Sequence, residues 1–236
     1  MIYRQEADSF FTIVAPAAVL GPVLVIVAAS GFIRAMVALP LFIVLFVLTY
    51  AACVRAAALI LRNLAPDPAA AWIDALRSLP PALTTAAIPS LGLIVAIGAA
   101  ISIAGDGMPL VAFGVAAAGG VAFAHWLLRH AYDESLVLAH ELPPHEAQRV
   151  GPLLACLQER WTPSLLAWLG LPLAAGGAIA WLAAELLAPA VGGALFVLAV
   201  AAWMPLAALS LTIDCDRLLA EATEPAQRRS TNSAAG

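Results

Sequence analysis

Six stretches of this chain carry no charged residue: 9–33, 35–54, 78–105, 107–128, 161–184 and 186–213. Each reaches about the twenty residues a helix needs to cross the hydrocarbon core of a bilayer, roughly 30 Å thick. Inside that core every peptide N–H and C=O must be satisfied internally, which restricts such runs to helices. A chain that is 63% hydrophobic and 11% charged cannot cover so much apolar surface in water. The expected fold is therefore all-α: a single polytopic membrane domain of six transmembrane helices, paired as three hairpins. The spans are expected at about 10–29, 36–62, 82–104, 108–140, 163–185 and 190–213, with 220–236 a flexible cytoplasmic tail.

Arginine orients the bundle. All eleven basic residues are arginines. Ten of them (Arg4, Arg55, Arg62, Arg77, Arg129, Arg149, Arg160, Arg217, Arg228 and Arg229) fall in the N-terminus, the even-to-odd connections and the C-terminus. Only Arg34 lies on the opposite side. Basic residues near span ends stay in the cytoplasm, so both termini are expected there. The absence of lysine beside abundant Ala, Arg, Gly and Pro matches a GC-rich bacterial source, hence a bacterial cytoplasmic (inner) membrane. Glu6 and Asp8 precede the first run, which is too long for a secretory signal and reads as an uncleaved span. A net charge of −4 without a basic block disfavours nucleic acid as a partner. The cysteines, Cys53, Cys156 and Cys215, map near the reducing cytoplasmic boundary, where a structural disulfide is not expected.

External connections are minimal: Ser30–Gly31 with Arg34, Gly105–Asp106–Gly107, and Pro189 to Gly193. They leave no room for an external receptor or enzyme domain. The cytoplasmic connections are longer, and each builds an amphipathic elbow expected to lie in the membrane interface. The first follows Asp67–Pro68 and carries Trp72, Ile73, Leu76 and Leu79 on one face. The second follows Pro143–Pro144 and carries Val150, Leu153, Leu154, Leu157 and Trp161, with Gly151–Pro152 interrupting it. Trp72 and Trp161 are the expected interfacial anchors. Prolines at 81 and 163 open the following spans at an offset of 82 residues, the mark of a weak parallel repeat. Span four is expected to run as helix from Pro109 to His140, roughly 48 Å, so that its cytoplasmic third protrudes.

Ionisable groups at membrane depth usually mark function. Here no acidic residue sits mid-span, and Glu185 falls near an external turn. The richest cluster is cytoplasmic. Every histidine lies within the 21 residues from His125 to His145, among Arg129, Asp133, Glu134, Glu141 and Glu146. Imidazoles beside carboxylates can bind a metal, which makes His125, His130 and His140 the candidate ligands. Their spacing does not put them on one helical face, and a solvated, ion-paired helix end or a cytoplasmic pH sensor fits the same residues. Span six ends Asp214-Cys-Asp216-Arg217. Together with Arg55, Arg129 and Asp133 these residues are expected to form an inner-rim network locking the even-numbered helices together. An anion or headgroup pocket of Arg55, Arg129 and Arg217 is the functional rival. No nucleophile elbow, P-loop or dinucleotide fingerprint occurs, so no catalytic residue and no cofactor is expected.

The elbow Trp72–Leu79 leading into Pro80–Pro81, the segment Tyr132 to Leu138, the elbow Val150–Trp161 and the ending Leu211 to Arg217 carry a family resemblance. Together they resemble the bacterial six-span proteins related to the membrane domain of glycerophosphoryl diester phosphodiesterases. The resemblance covers most of the chain and implies the six-span fold. It transfers nothing catalytic, because the phosphodiesterase chemistry of that family belongs to a separate soluble domain. His145, Glu146 and Glu159 beside Arg149 and Arg160 depart from the family's basic second elbow.

The expectation is a non-enzymatic integral membrane protein acting as an accessory, docking or lipid-contacting subunit. Its partners are membrane lipids and other membrane subunits, or a second copy of itself. The rivals are a small transporter or channel with a polar cytoplasmic mouth, and a metal or tetrapyrrole binder through His125, His130 and His140.

Overall fold

The structure is a computed structural model. It describes residues 2–78, 92, 99, 107–108, 110–111, 114–115, 118–119, 122, 125, 129–157 and 163–234. Among the described residues the chain is all-helical, with no strand and seven helices: α1 (Ile2–Ala29), α2 (Phe32–Leu61), α3 (Pro68–Arg77), α4 (Asp133–Leu138), α5 (Pro144–Leu157), α6 (Pro163–Leu186) and α7 (Pro189–Ala234). Three contain stretches long and apolar enough to cross a membrane: Ala7–Ala28, Pro40–Leu61 and Ala190–Ala222. A shorter apolar stretch, Ala174–Leu186, occupies α6. The expected span 82–104 falls almost wholly outside the described residues, as does Trp161; each described residue from 110 to 129 is helical.

The core forms where α1, α2 and α7 meet. Ile13, Ala17, Ala51, Ala52, Cys53, Ala56, Ala201, Met204 and Ala208 are buried in one cluster. Lipid gives apolar side chains no reason to leave it, so such helices associate through close packing, and small side chains permit the approach. Alanine supplies most of this surface, and glycine the tightest points. A Cβ at Gly21 of α1 would lie 2.6 Å from Val197 Cγ1 of α7. One at Gly192 of α7 would run into the Ala180 carbonyl and the Ala184 Cβ of α6.

The turn from α2 into α3 follows from its sequence. Asn63 adopts a left-handed backbone, with φ 57°. Its N–H donates to Ile60 O (2.9 Å), and Leu64 N–H reaches back to Leu59 O (2.9 Å). This is a Schellman closure, with asparagine where glycine is commonest. Asp67 then caps α3 by accepting from Ala69 N–H at 3.0 Å, and Pro68 fills the first helical position, where its missing N–H costs nothing. The helix returns alongside α2. Its Ala71 and Ala75 are fully buried, while Ile73 and Leu76 are 50% and 53% exposed. Trp72, expected as an anchor in the interface, is half-buried against the core cluster.

Three expectations need correction. Span four does not continue as one helix to His140: the chain turns at His130–Tyr132, and α4 is a separate six-residue helix. The cause is Tyr132, which is fully buried and draws the backbone inward. The segment 220–236 is helical as far as Ala234, an extension of α7, which at 46 residues is about 69 Å long. Finally, Gly151–Pro152 does not interrupt α5, which is continuous from Pro144 to Leu157.

Candidate functional site

The polar residues converge on α4. Its first turn carries Asp133 and Glu134, favourable beside the positive end of a helix dipole. Three contacts from this segment dock it onto α7, and a fourth, between His130 and Asp133, braces the turn into α4. Tyr132 donates its hydroxyl to Asp214 Oδ2 at 2.5 Å. Thr212 already donates to Ala208 O (2.7 Å), so in the 3.3 Å contact between the Ser135 and Thr212 hydroxyls Ser135 is the donor. His140 Nε2 lies 2.8 Å from Asp216 Oδ1 as an ion-pair contact, although off the line of a good hydrogen bond. His130 Nδ1 lies 2.8 Å from Asp133 Oδ2.

The opposite end of α4 is held by α2. Arg55 Nη1 donates to Leu138 O at 2.9 Å, and Arg62 Nη2 donates to Ala139 O. The last carbonyls of a helix lack partners within it, and cations there also answer the dipole. Arg55 Nε donates to Asp74 Oδ2 of α3 at 2.9 Å. One short helix thus ties α2 and, through Arg55, α3 to α7.

Asp133 is the most unusual group. Its side chain is 4% exposed, and Oδ1 has no hydrogen-bond partner among the described residues. That oxygen lies over Gly151 of α5, in space a Cβ would occupy. Burial raises the Asp133 pKa, opposed by the hydrogen bond and charge of His130. Burial, then the bond to Asp214, pushes the Tyr132 phenol far above its usual range, so it remains a donor.

Of the expected rim residues, Arg55, Asp133, Asp214, Asp216 and Arg217 make polar contacts, largely with partners other than those expected. Asp214 Oδ1 meets Arg217 Nη2 (3.1 Å) on its own helix, with Arg217 Nε 3.6 Å from Glu221. Arg55 pairs with Asp74 instead of an aspartate of α7. Arg129 is exposed and forms no ion pair with Asp133, because the turn at His130 replaces the helix on which they would stand four apart. Nor do the candidate metal ligands assemble. His130 and His140 are matched to different carboxylates, His125 is exposed, and no group of three His, Cys, Asp or Glu among the described residues is arranged to hold a metal ion. Cys53 and Cys215 are buried free thiols and Cys156 an exposed one.

Sequence reasoning missed Asp74, Tyr132, Ser135, Thr212, Arg62 and Gly151. For Asp74 a signal existed: the Asp67–Pro68 cap turns α3 back along α2, which brings a carboxylate seven residues later towards Arg55. Beside this pair opens a cleft of about 320 Å³, lined by Arg55, Asp74, Arg77, Ser78 and Glu141 together with apolar atoms.

Comparison of the chain with protein-family models, with curated proteins and with solved structures finds no match.

Proposed function

We propose that the chain is a six-span, non-enzymatic protein of the bacterial cytoplasmic membrane, with both termini cytoplasmic. It serves there as an accessory or docking subunit that contacts lipid and other membrane subunits, or a second copy of itself. The observation that carries this reading is the clamped helix α4. Arg55 and Arg62 from one side, with Asp214, Thr212 and Asp216 from the other, hold it as a fixed inner platform. The charged groups there hold helices to one another, as befits a surface that must keep its shape for a partner. Amphipathic α3 and α5 flank the platform and supply the two elbows of the proposed topology, and the family resemblance noted from the sequence supports the same six-span arrangement.

Cross-linking in native membranes followed by purification in mild detergent tests the reading. A stoichiometric subunit or a cross-linked homo-oligomer is expected. Solute flux through proteoliposomes containing the chain alone would replace it with the transporter reading, and bound metal or a visible absorption band with the cofactor reading.

A further inference from the structure

We propose that the cleft beside α3 binds a phosphoethanolamine headgroup, the zwitterion of a phospholipid with a primary ammonium. Its phosphate would lie on Arg77 and Arg55, and its ammonium on Glu141. This rests on the lipid-contacting part of the function proposed above and gives it a ligand class.

The charges of the cleft carry the inference. Asp74 and Arg55 neutralise one another at 2.9 Å. Two charges of opposite sign remain. Arg77, its side chain 78% exposed, has only a loose 3.7 Å contact to Asp74, and Glu141 is exposed with no ion pair among the described residues. Arg55 uses Nε for Asp74 and Nη1 for the Leu138 carbonyl, which leaves Nη2 to contribute to a phosphate beside Arg77. A purely anionic headgroup would meet repulsion from Glu141. A zwitterion matches both signs, and a primary ammonium can donate hydrogen bonds to Glu141, which a quaternary choline cannot.

The depth is also right for a headgroup. Arg55 is the first charged residue after the uncharged run 35–54, whose twenty residues span about 30 Å as helix, which sets it at the border between hydrocarbon and polar layers. On the same α3 that presents Asp74 and Arg77, Ile73 and Leu76 are half exposed and offer apolar surface to acyl chains. The cleft volume, about 320 Å³, lies at the small end of the range for small-molecule sites.

The test is native mass spectrometry of the full chain in mild detergent, offered equal amounts of phosphatidylethanolamine, phosphatidylcholine and phosphatidylglycerol. One phosphatidylethanolamine per chain is expected to persist in preference to the other two. Arg77→Gln should weaken its retention on the order of tenfold, the loss of one charge-assisted phosphate contact. Glu141→Gln should erase the preference over phosphatidylglycerol. Both side chains are exposed, so both variants should melt as the wild type does. Competition with soluble O-phosphoethanolamine separates the sources of this chemistry. Displacement would make the free headgroup sufficient, and no displacement would make the acyl chains part of the ligand. Phosphatidylglycerol held as well as phosphatidylethanolamine by the wild type, or variants that bind like it, would overturn the inference. A partner captured by cross-linking would still stand in that case, so the docking reading can survive the loss of this one.

Discussion

At the scale of single residues, the decisive groups are those whose polar atoms are buried between helices. Tyr132 is fully buried and makes a 2.5 Å bond to a buried aspartate. Removing the hydroxyl leaves Asp214 short of a donor away from water, so Tyr132→Phe should cost about 1.5–3 kcal/mol, read as a lowered Tm in detergent. Gly151 is constrained from the other side: Gly151→Ala drives a methyl group into the Asp133 carboxylate, and overpacking of this kind costs about 1–3 kcal/mol. An alanine variant as stable as the wild type would show that the carboxylate moves aside freely. Asp133 itself predicts a pH dependence. Burial raises its pKa from the ordinary 3.8, so the folded state holds a proton that the unfolded state has released. The wild type therefore gains from this group below 3.8 and loses that gain as pH climbs through the raised value. Asp133→Asn stays neutral throughout. Its Tm relative to the wild type should rise across that window and level off above it. A difference independent of pH would mean that His130 fully offsets the burial.

At the scale of elements, the ends of helices decide where the chain turns. α2 stops at Leu61 because Asn63 accepts a left-handed conformation. A β-branched residue resists it, so Asn63→Val should lower stability by about 1–2 kcal/mol, whereas Asn63→Gly should be tolerated. Equal melting of the two variants would show that the turn is set by the packing of α3 instead. Much of this level was legible in the sequence. Asp67–Pro68 and Pro143–Pro144 predicted the starts of α3 and α5, and the uncharged runs predicted α1, α2, α6 and the membrane-length part of α7. What escaped was set by contacts distant in sequence. The run from Pro109 to His140 reads as one helix because nothing local forbids it; the turn at His130 comes from Tyr132 finding Asp214, 82 residues away. The rim residues were illegible as pairs for the same reason, and Arg129 was expected there and stays exposed. An arginine in a sequence names its charge, and only the return path of α3 reveals that Arg55 belongs to Asp74.

At the scale of the whole molecule, the open quantity is how many times the chain crosses. Three long apolar helices are in place, with the apolar α6 between α4–α5 and α7. Labelling the two ends of the chain cannot count crossings, because adding or removing a hairpin leaves both ends on the same side. A position inside the segment between α3 and α4 is needed, and Met108 provides one: it is described, non-helical and 50% exposed. The native cysteines help, since Cys53 and Cys215 are buried and only Cys156 is open to a reagent. In a Cys156→Ala background, a membrane-impermeant maleimide should label Ser30→Cys and Met108→Cys from outside intact cells. His145→Cys should be labelled only in inverted vesicles. Six crossings and an inside N-terminus require that pattern. Labelling of Met108→Cys together with His145→Cys from the inner face would mean that the second hairpin, spans three and four, returns without crossing. The chain would then have four spans, with the positive-inside count of its arginines unchanged, because none lies between 78 and 128.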